Sequence, residues 1–194
     1  MEEQIMNMPA VALRGLTILP GMIAHFDISR ERSLRAVEEA MEQDQKIYLV
    51  TQRNVNSEDP TQEDLYQMGI VADIKQVVRL QNDVVRILVD GISRAALLGF
   101  TGNEKYLEAE ICYCDSNADS LPEDLREAML LGVREAFHRY AAVVGKISKE
   151  LIRQIDQYED LEKLIDYVTN NLPVSYELKQ QVLEAEDIND RYQV

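Results

Sequence analysis

The hydrophobic pattern of this chain changes period once, and that change constrains the fold more than any other feature. From Met8 to Cys114 apolar residues recur mostly at every second position, the repeat of a strand with one face toward a core. After Pro122 they recur every three or four residues, the repeat of a helix with one buried stripe. One kind of element cannot satisfy both periods. The pattern therefore predicts an α+β protein in two parts, a β-rich lobe with one helix over 1–115 and an α-helical bundle over 120–194.

Within the first part, Leu107, Ala109, Ile111 and Tyr113 alternate with Tyr106, Glu108, Glu110 and Cys112, which predicts a half-buried strand. Ile70, Ala72 and Ile74 alternate in the same way, as do Val85, Ile87 and Val89, and Gln81-Asn82-Asp83 between them supplies the turn of a hairpin. Ile47 to Val50 is a continuous apolar run, as expected of a strand buried on both faces. One segment reads as a helix, with Ser33 as its cap and Leu34, Val37 and Met41 as its apolar stripe. Arg53 to Glu63, with Pro60, reads as a surface loop.

The short stretch 115–120 is polar apart from Ala118 and marks the boundary; Pro122 suits the first turn of the helix that follows. Leu125, Met129, Val133, Phe137, Tyr140 and Val144 form one stripe that Gly145 can end. Further helices are expected over 148–155, over 161–171 ahead of Pro173, and over 176–186 with Ser175 as cap. A last helix begins to open at Asp187, which suggests a chain that continues.

No run approaches the roughly 18 apolar residues of a membrane span, and the N-terminus opens with acidic residues where a secretory signal needs basic ones, so a cytoplasmic location is expected. A net charge of −15 repels phosphate backbones and argues against a nucleic-acid partner. The two cysteines, Cys112 and Cys114, sit on one face of a strand, where a disulfide would be strained; with His25 and His138 remote in sequence, no metal site is expected.

Catalytic signatures occur only as near-misses. Gly145-Lys146 resembles the end of a phosphate loop, but Tyr140 stands at the earlier glycine and Ile147 at the magnesium-binding hydroxyl. Ser93 in Gly91-Ile92-Ser93-Arg94-Ala95 lacks a following helix and a nearby histidine. Asp115, Asn117 and Asp119 open like a calcium loop, but Ser120 replaces the turn glycine and Arg126 the bidentate carboxylate. No catalytic residue is assigned.

Leu13-Arg14-Gly15, Ile18-Leu19-Pro20-Gly21-Met22 and Ser29-Arg30-Glu31-Arg32-Ser33, followed by Leu49-Val50-Thr51-Gln52, Asp64-Leu65-Tyr66, Gly69-Ile70-Val71-Ala72 and Val89-Asp90-Gly91, carry a family likeness in order and spacing. In these segments the chain resembles the N-terminal domain of bacterial Lon proteases. Leu172-Pro173, Lys179-Gln180, Leu183-Glu184 and Asp187-Ile188 with Arg191 continue the likeness. The resemblance implies a lobe similar to the pseudouridine-synthase-associated fold, followed by a helical bundle. It also implies a non-catalytic role in recruiting unfolded or tagged proteins and in holding a homohexamer together. ATP, magnesium and a serine–lysine pair would act further along the parent chain, with no cofactor in this part.

Composition suggests where recruitment would occur. Leu19, Pro20, Met22, Ile23 and Phe26 form a greasy segment in which proline denies a backbone donor and methionine adapts to varied shapes. The same residues could instead fill the lobe's core. The stripe from Leu125 to Val144 could similarly leave apolar width for a second subunit, or serve only the bundle core. Two other roles remain open at this stage, a stand-alone adaptor of the same fold and, less favoured, an RNA-binding module.

Overall fold

The computed structural model describes residues 5–114 and 121–194, which divide into two compact units, within 1–114 and 115–194. In the first unit the elements are β1 (Ile5–Leu13), β2 (Ile23–Ile28), α1 (Glu31–Glu42), β3 (Lys46–Thr51), β4 (Met68–Arg79), β5 (Val85–Phe100) and β6 (Glu108–Tyr113). They form one sheet in the order β2-β5-β4-β3-β1-β6, and β6 also pairs with β5, so β1, β3, β4, β5 and β6 close into a ring. β1 and β3 run parallel; the other pairs are antiparallel. The parallel step is possible because β2 and α1 lie between those strands in sequence and provide the crossover.

β5 makes closure possible by changing partners along one edge. Residues 85–90 pair with β2 and residues 95–100 pair with β6, while β4 follows its other edge. Register shifts between Val71 and Ala72, Ile74 and Gln76, and Leu97 and Gly99 supply the bending that a closed sheet requires. Gly91 sits at the change of partner. A Cβ there would lie 2.4 Å from the Leu19 carbonyl oxygen and 2.9 Å from Ile70 Cδ1, so only glycine lets the Ile18–Leu19 segment cross so closely.

Closure buries both faces of several strands. Val11, Leu13, Ile47, Leu49, Ile70, Ala72, Ile74, Ile87 and Val89 form one core with α1, and Met8, Ala10, Ala12, Tyr48, Val50, Val71, Ala95, Leu97, Ala109 and Ile111 form the other. The second core contains no helix residue; the curled sheet packs on itself. The reading of Ile47 to Val50 as buried on both faces therefore holds, and so does the inward face Leu107, Ala109 and Ile111. The alternation expected around Ile70 is only half of what occurs, because Val71 is buried too. Beyond Ile74 the β4–β5 hairpin projects and Val77, Val78 and Leu80 become exposed. Asn82 and Asp83 turn it with left-handed backbone, φ +60° and +56°.

α1 corrects two expectations. Arg30, not Ser33, is its N-cap, and it makes no side-chain capping bond; Ser33 is inside the helix and buried. The buried stripe is Ser33, Ala36, Val37 and Ala40, while Met41 is exposed. Small residues let the helix axis approach β1 and β3, which longer side chains would hold away.

The second unit comprises α2 (Glu123–Val144), α3 (Lys149–Gln157), α4 (Leu161–Asn171), α5 (Tyr176–Glu184) and α6 (Ile188–Gln193). Ser148, Asp160, Ser175 and Asp187 cap α3 to α6, each side chain accepting a backbone N–H, and Gly145 ends α2 at φ +66°. Pro122 stands at the N-cap of α2 instead of in its first turn, and α5 ends two residues before Glu186. Along α2 the buried residues are Met129, Leu130, Phe137 and Ala141. Leu125 and Val144, the ends of the expected stripe, are exposed. Arg191 is buried. It donates to the Ala185 carbonyl at 2.7 Å and pairs with Glu162, tying α6 to α4. Asp115, Asn117, Asp119 and Ser120 lie outside the described residues.

Two outcomes follow from the first unit. A Cβ at Gly69 would meet Tyr48 Oη at 2.5 Å and the Leu49 carbonyl at 2.6 Å, so Gly69→Ala should lower the urea-unfolding free energy by about 1–3 kcal/mol. Tyr48 is fully buried, its Oη donates to the Ala95 carbonyl at 3.0 Å, and burial pushes its ionisation far above the ordinary tyrosine value. Neutral in the fold but free to ionise when unfolded, Tyr48 contributes stability present below about pH 10 and lost above it. Tyr48→Phe should therefore cost about 1 kcal/mol at neutral pH, and its deficit relative to the parent should shrink in unfolding curves taken above pH 10.

Candidate functional site

The segment between β1 and α1 carries the residues that composition singled out, and the fold divides them. Leu19 is 0% exposed, with its carbonyl oxygen packed against Gly91, so it belongs to the core and not to any surface. The Met22 N–H donates to the Leu19 carbonyl at 3.1 Å, and Gly21, at φ +71°, makes the turn that delivers the chain into β2. Pro20, Met22 and Phe26 are half-buried, the last two against the core that α1 covers; Ile23, 68% exposed, projects outward. Period 2 explains the split. Ala24, Phe26 and Ile28 turn inward, and Ile23, His25 and Asp27 turn outward.

β2 has one neighbour. The Gly91 N–H donates to the Met22 carbonyl at 3.0 Å, which sets the alternation of the β2–β5 ladder: Ala24, Phe26 and Ile28 exchange hydrogen bonds with β5. The backbone groups of Ile23, His25 and Asp27 then point to the other edge, where they meet no partner among the described residues. Asp27 and Arg86, opposite each other at a close pair of that ladder, bond at 2.7 and 2.9 Å. This contact holds the Asp27 carboxyl below its usual range and the Arg86 guanidinium above its own.

Beside the C-terminal half of β2 lies a pocket of about 460 Å³, whose lining includes Arg14, Phe26, Asp27, Ser29, Arg30 and Ser33. Arg14 Nη2 donates to the Ser57 carbonyl at 2.9 Å; Arg30 Nη2 donates to the same oxygen at 3.1 Å and to Gln52 Oε1 at 2.9 Å. Buried Gln52 returns bonds to the Asn54 and Ser57 carbonyls. Two guanidiniums thus converge on one loop carbonyl, and burial together with the charge of Arg14 lowers the Arg30 pKa. Composition did not reveal this pocket. Its arginines appear in the sequence only as isolated charges, Arg14 after a strand and Arg30 before a helix.

The residues considered for chemistry take structural places within their own units. Ser93 lies within β5 opposite Val71, in extended backbone and not at a strand-to-helix elbow. Gly145 ends a helix instead of opening one, and α3 starts only at Lys149, so Gly145-Lys146 does not cradle a phosphate. His138 Nε2 lies 2.8 Å from Asp156, an exposed link between α2 and α3. Cys112 and Cys114 are free thiols, and no group of three potential metal ligands occurs among the described residues. No described helix is long and apolar enough to cross a membrane.

Residues 7–194 match the family model of the ATP-dependent protease La (LON) substrate-binding domain. Lon protease of Lachnoclostridium phytofermentans is 36% identical over 193 residues, covering all of this chain and 24% of that protein. Lon protease 1 of Bacillus subtilis is 32% identical over 190 residues, 98% of this chain and 24% of the relative. The chain therefore spans about a quarter of the length of these relatives. Among solved structures, the N-terminal domain of a Mycobacterium avium complex Lon protease shares the fold at TM-score 0.78 and 18% identity, covering 97% of this chain and 95% of that one. The Lon N-terminal domain protein of Xanthomonas campestris matches at TM-score 0.65 and 13% identity, with the same coverage. The chain belongs to the Lon substrate-binding domain family and corresponds to the N-terminal region of Lon proteases.

Proposed function

We propose that this chain grips unfolded or tagged client proteins for an ATP-dependent serine protease and leaves cleavage to other parts of the same polypeptide. The observation that carries the reading is Ile23, a large aliphatic side chain held out on β2, while Met22 and Phe26 are half-buried toward the core on the other face. The family description supports it. ATP and magnesium would be bound by the ATPase module of the parent, a serine–lysine pair would cut, and the whole would work in the cytoplasm on misfolded and regulatory proteins.

Magnitudes favour several copies acting together. Burying ~200 Å² of apolar surface at ~25 cal/mol per Å² gives about 5 kcal/mol before association costs, too little for firm capture by one lobe. A homohexameric parent would multiply such weak contacts. Exposed Leu125, Leu131, Val143 and Val144 on α2 are the side chains this reading assigns to self-association.

The test is binding of a chemically unfolded model protein to the folded chain and to Ile23→Ser, Met22→Ser and Phe26→Ser, each checked by circular dichroism. Ile23→Ser should weaken binding about tenfold, the effect of losing ~1.5 kcal/mol of apolar burial, without altering the fold. Unchanged affinity in all three folded variants removes the patch. In sedimentation the chain should self-associate at high concentration, and Val143→Ser should reduce this; a strict monomer refutes self-association through α2 alone.

A further inference from the structure

We infer that β2 takes an extended segment of client polypeptide as an added strand, with an acidic side chain of that segment seated between Arg14 and Arg30. The inference rests on the capture reading above and specifies its mode. Three observations converge on it.

The first is the edge itself. β2 pairs only with β5, and the N–H and C=O groups of Ile23, His25 and Asp27 face away from that ladder; the projecting end of β4 beyond Ile74 also has β5 as its one partner, but none of its residues lines the pocket. A row of unpaired backbone groups at two-residue spacing is a template for another strand, and it reads backbone instead of sequence, as suits a binder of many clients.

The second is the position of the pocket. Its lining includes five consecutive residues, Phe26 to Arg30, and four more, Val11 to Arg14. A strand face would contribute every second residue; unbroken runs mean that the pocket borders the backbone edge itself. A strand laid along Ile23 to Asp27 would run directly into it, and about 460 Å³ accommodates a long side chain.

The third is charge. In a chain of net charge −15, Arg14 and Arg30 share one carbonyl; Glu58 lines the same pocket and with Asp59 acts on Arg30 through space, but among the described residues no carboxylate forms an ion pair with either arginine. Guanidinium forks bind carboxylates in bidentate fashion, which selects a glutamate or aspartate as the inserted side chain. The same chemistry disfavours a second copy of β2 as the occupant. Its only carboxylate, Asp27, is already held by Arg86 at 2.7 and 2.9 Å.

The experiment measures fluorescence anisotropy of the full 194-residue chain with a labelled ten-residue peptide of alternating valine and threonine around one central glutamate. Two versions carry N-methyl groups on alternate residues, one set per strand edge. An added strand bonds through one edge, so one set should weaken binding at least tenfold while the other stays within twofold. Exchanging the glutamate for glutamine should cost about tenfold against the parent chain and little against folded Arg14→Gln. His25→Pro, which removes an outward N–H without touching the β5 ladder, should also abolish binding. Equal affinities for the two methylated peptides, equal affinities for glutamate and glutamine, or no peptide binding would each overturn the inference. A dimer dispersed by His25→Pro would assign the edge to a second copy and overturn it too. If the unfolded protein still binds while the peptide pattern fails, strand addition falls and capture stands; if neither binds, both fall.

Discussion

The structure of the first unit depends on one interaction, the double pairing of β6 with β1 and with β5. A six-residue strand joins β1 to β5 and turns five strands of the sheet into a ring. Once closed, the sheet needs no helix on its second face, because Tyr48, Val50, Val71, Ala95, Leu97 and Ile111 bury one another. The geometric cost falls on β5, which must bend and exchange partners, and it is met by register shifts and by a glycine where the chain crosses Leu19. Leu19 is drawn inside by that crossing.

The same closure determines where a partner can dock. Sheet edges are hazardous when exposed, and the ring removes them wherever its strands pair on both sides, leaving the projecting end of β4 beyond Ile74 beside β5 alone. β2 is left outside, short, with His25 and the Arg86-bound Asp27 among its outward residues. A short edge of this kind resists uncontrolled aggregation yet remains able to pair. The turn at Pro20–Met22 sets its direction, and the Asp27–Arg86 contact fixes its register against β5. The pocket follows from this arrangement, since β2 leads into α1 through Ser29 and Arg30 while β1 ends in Arg14.

The helical unit is organised by a different principle. Four of its helices start on a serine or aspartate side chain that accepts a backbone N–H, local devices that need no distant partner. Arg191 provides the long-range tie: a buried guanidinium bound to Glu162 and to the Ala185 carbonyl orders the last helix against the fourth. Such a group is tolerated only because its donors are met.

Much of this was legible in the sequence because it is local. The change of period, the hairpin at Asn82-Asp83, the cap at Ser175, the αL end at Gly145 and the double burial of Ile47 to Val50 each arise from neighbouring residues and backbone chemistry. The family, too, was readable, since weak matches in register accumulate along the chain. What the sequence could not decide was the fate of residues whose environment lies far away. Leu19 and Ile23 are equally greasy, yet one packs on Gly91 and the other faces outward, because the sheet's closure and a turn at Gly21 separate them. Arg14 and Arg30 meet only because β1 ends where β2 passes into α1, and β2 has a free edge only because β6 takes the place beside the rest of β5. Period and capping are properties of adjacent residues; edges, pockets and convergent charges are properties of closure, and they exist only once the strands have met.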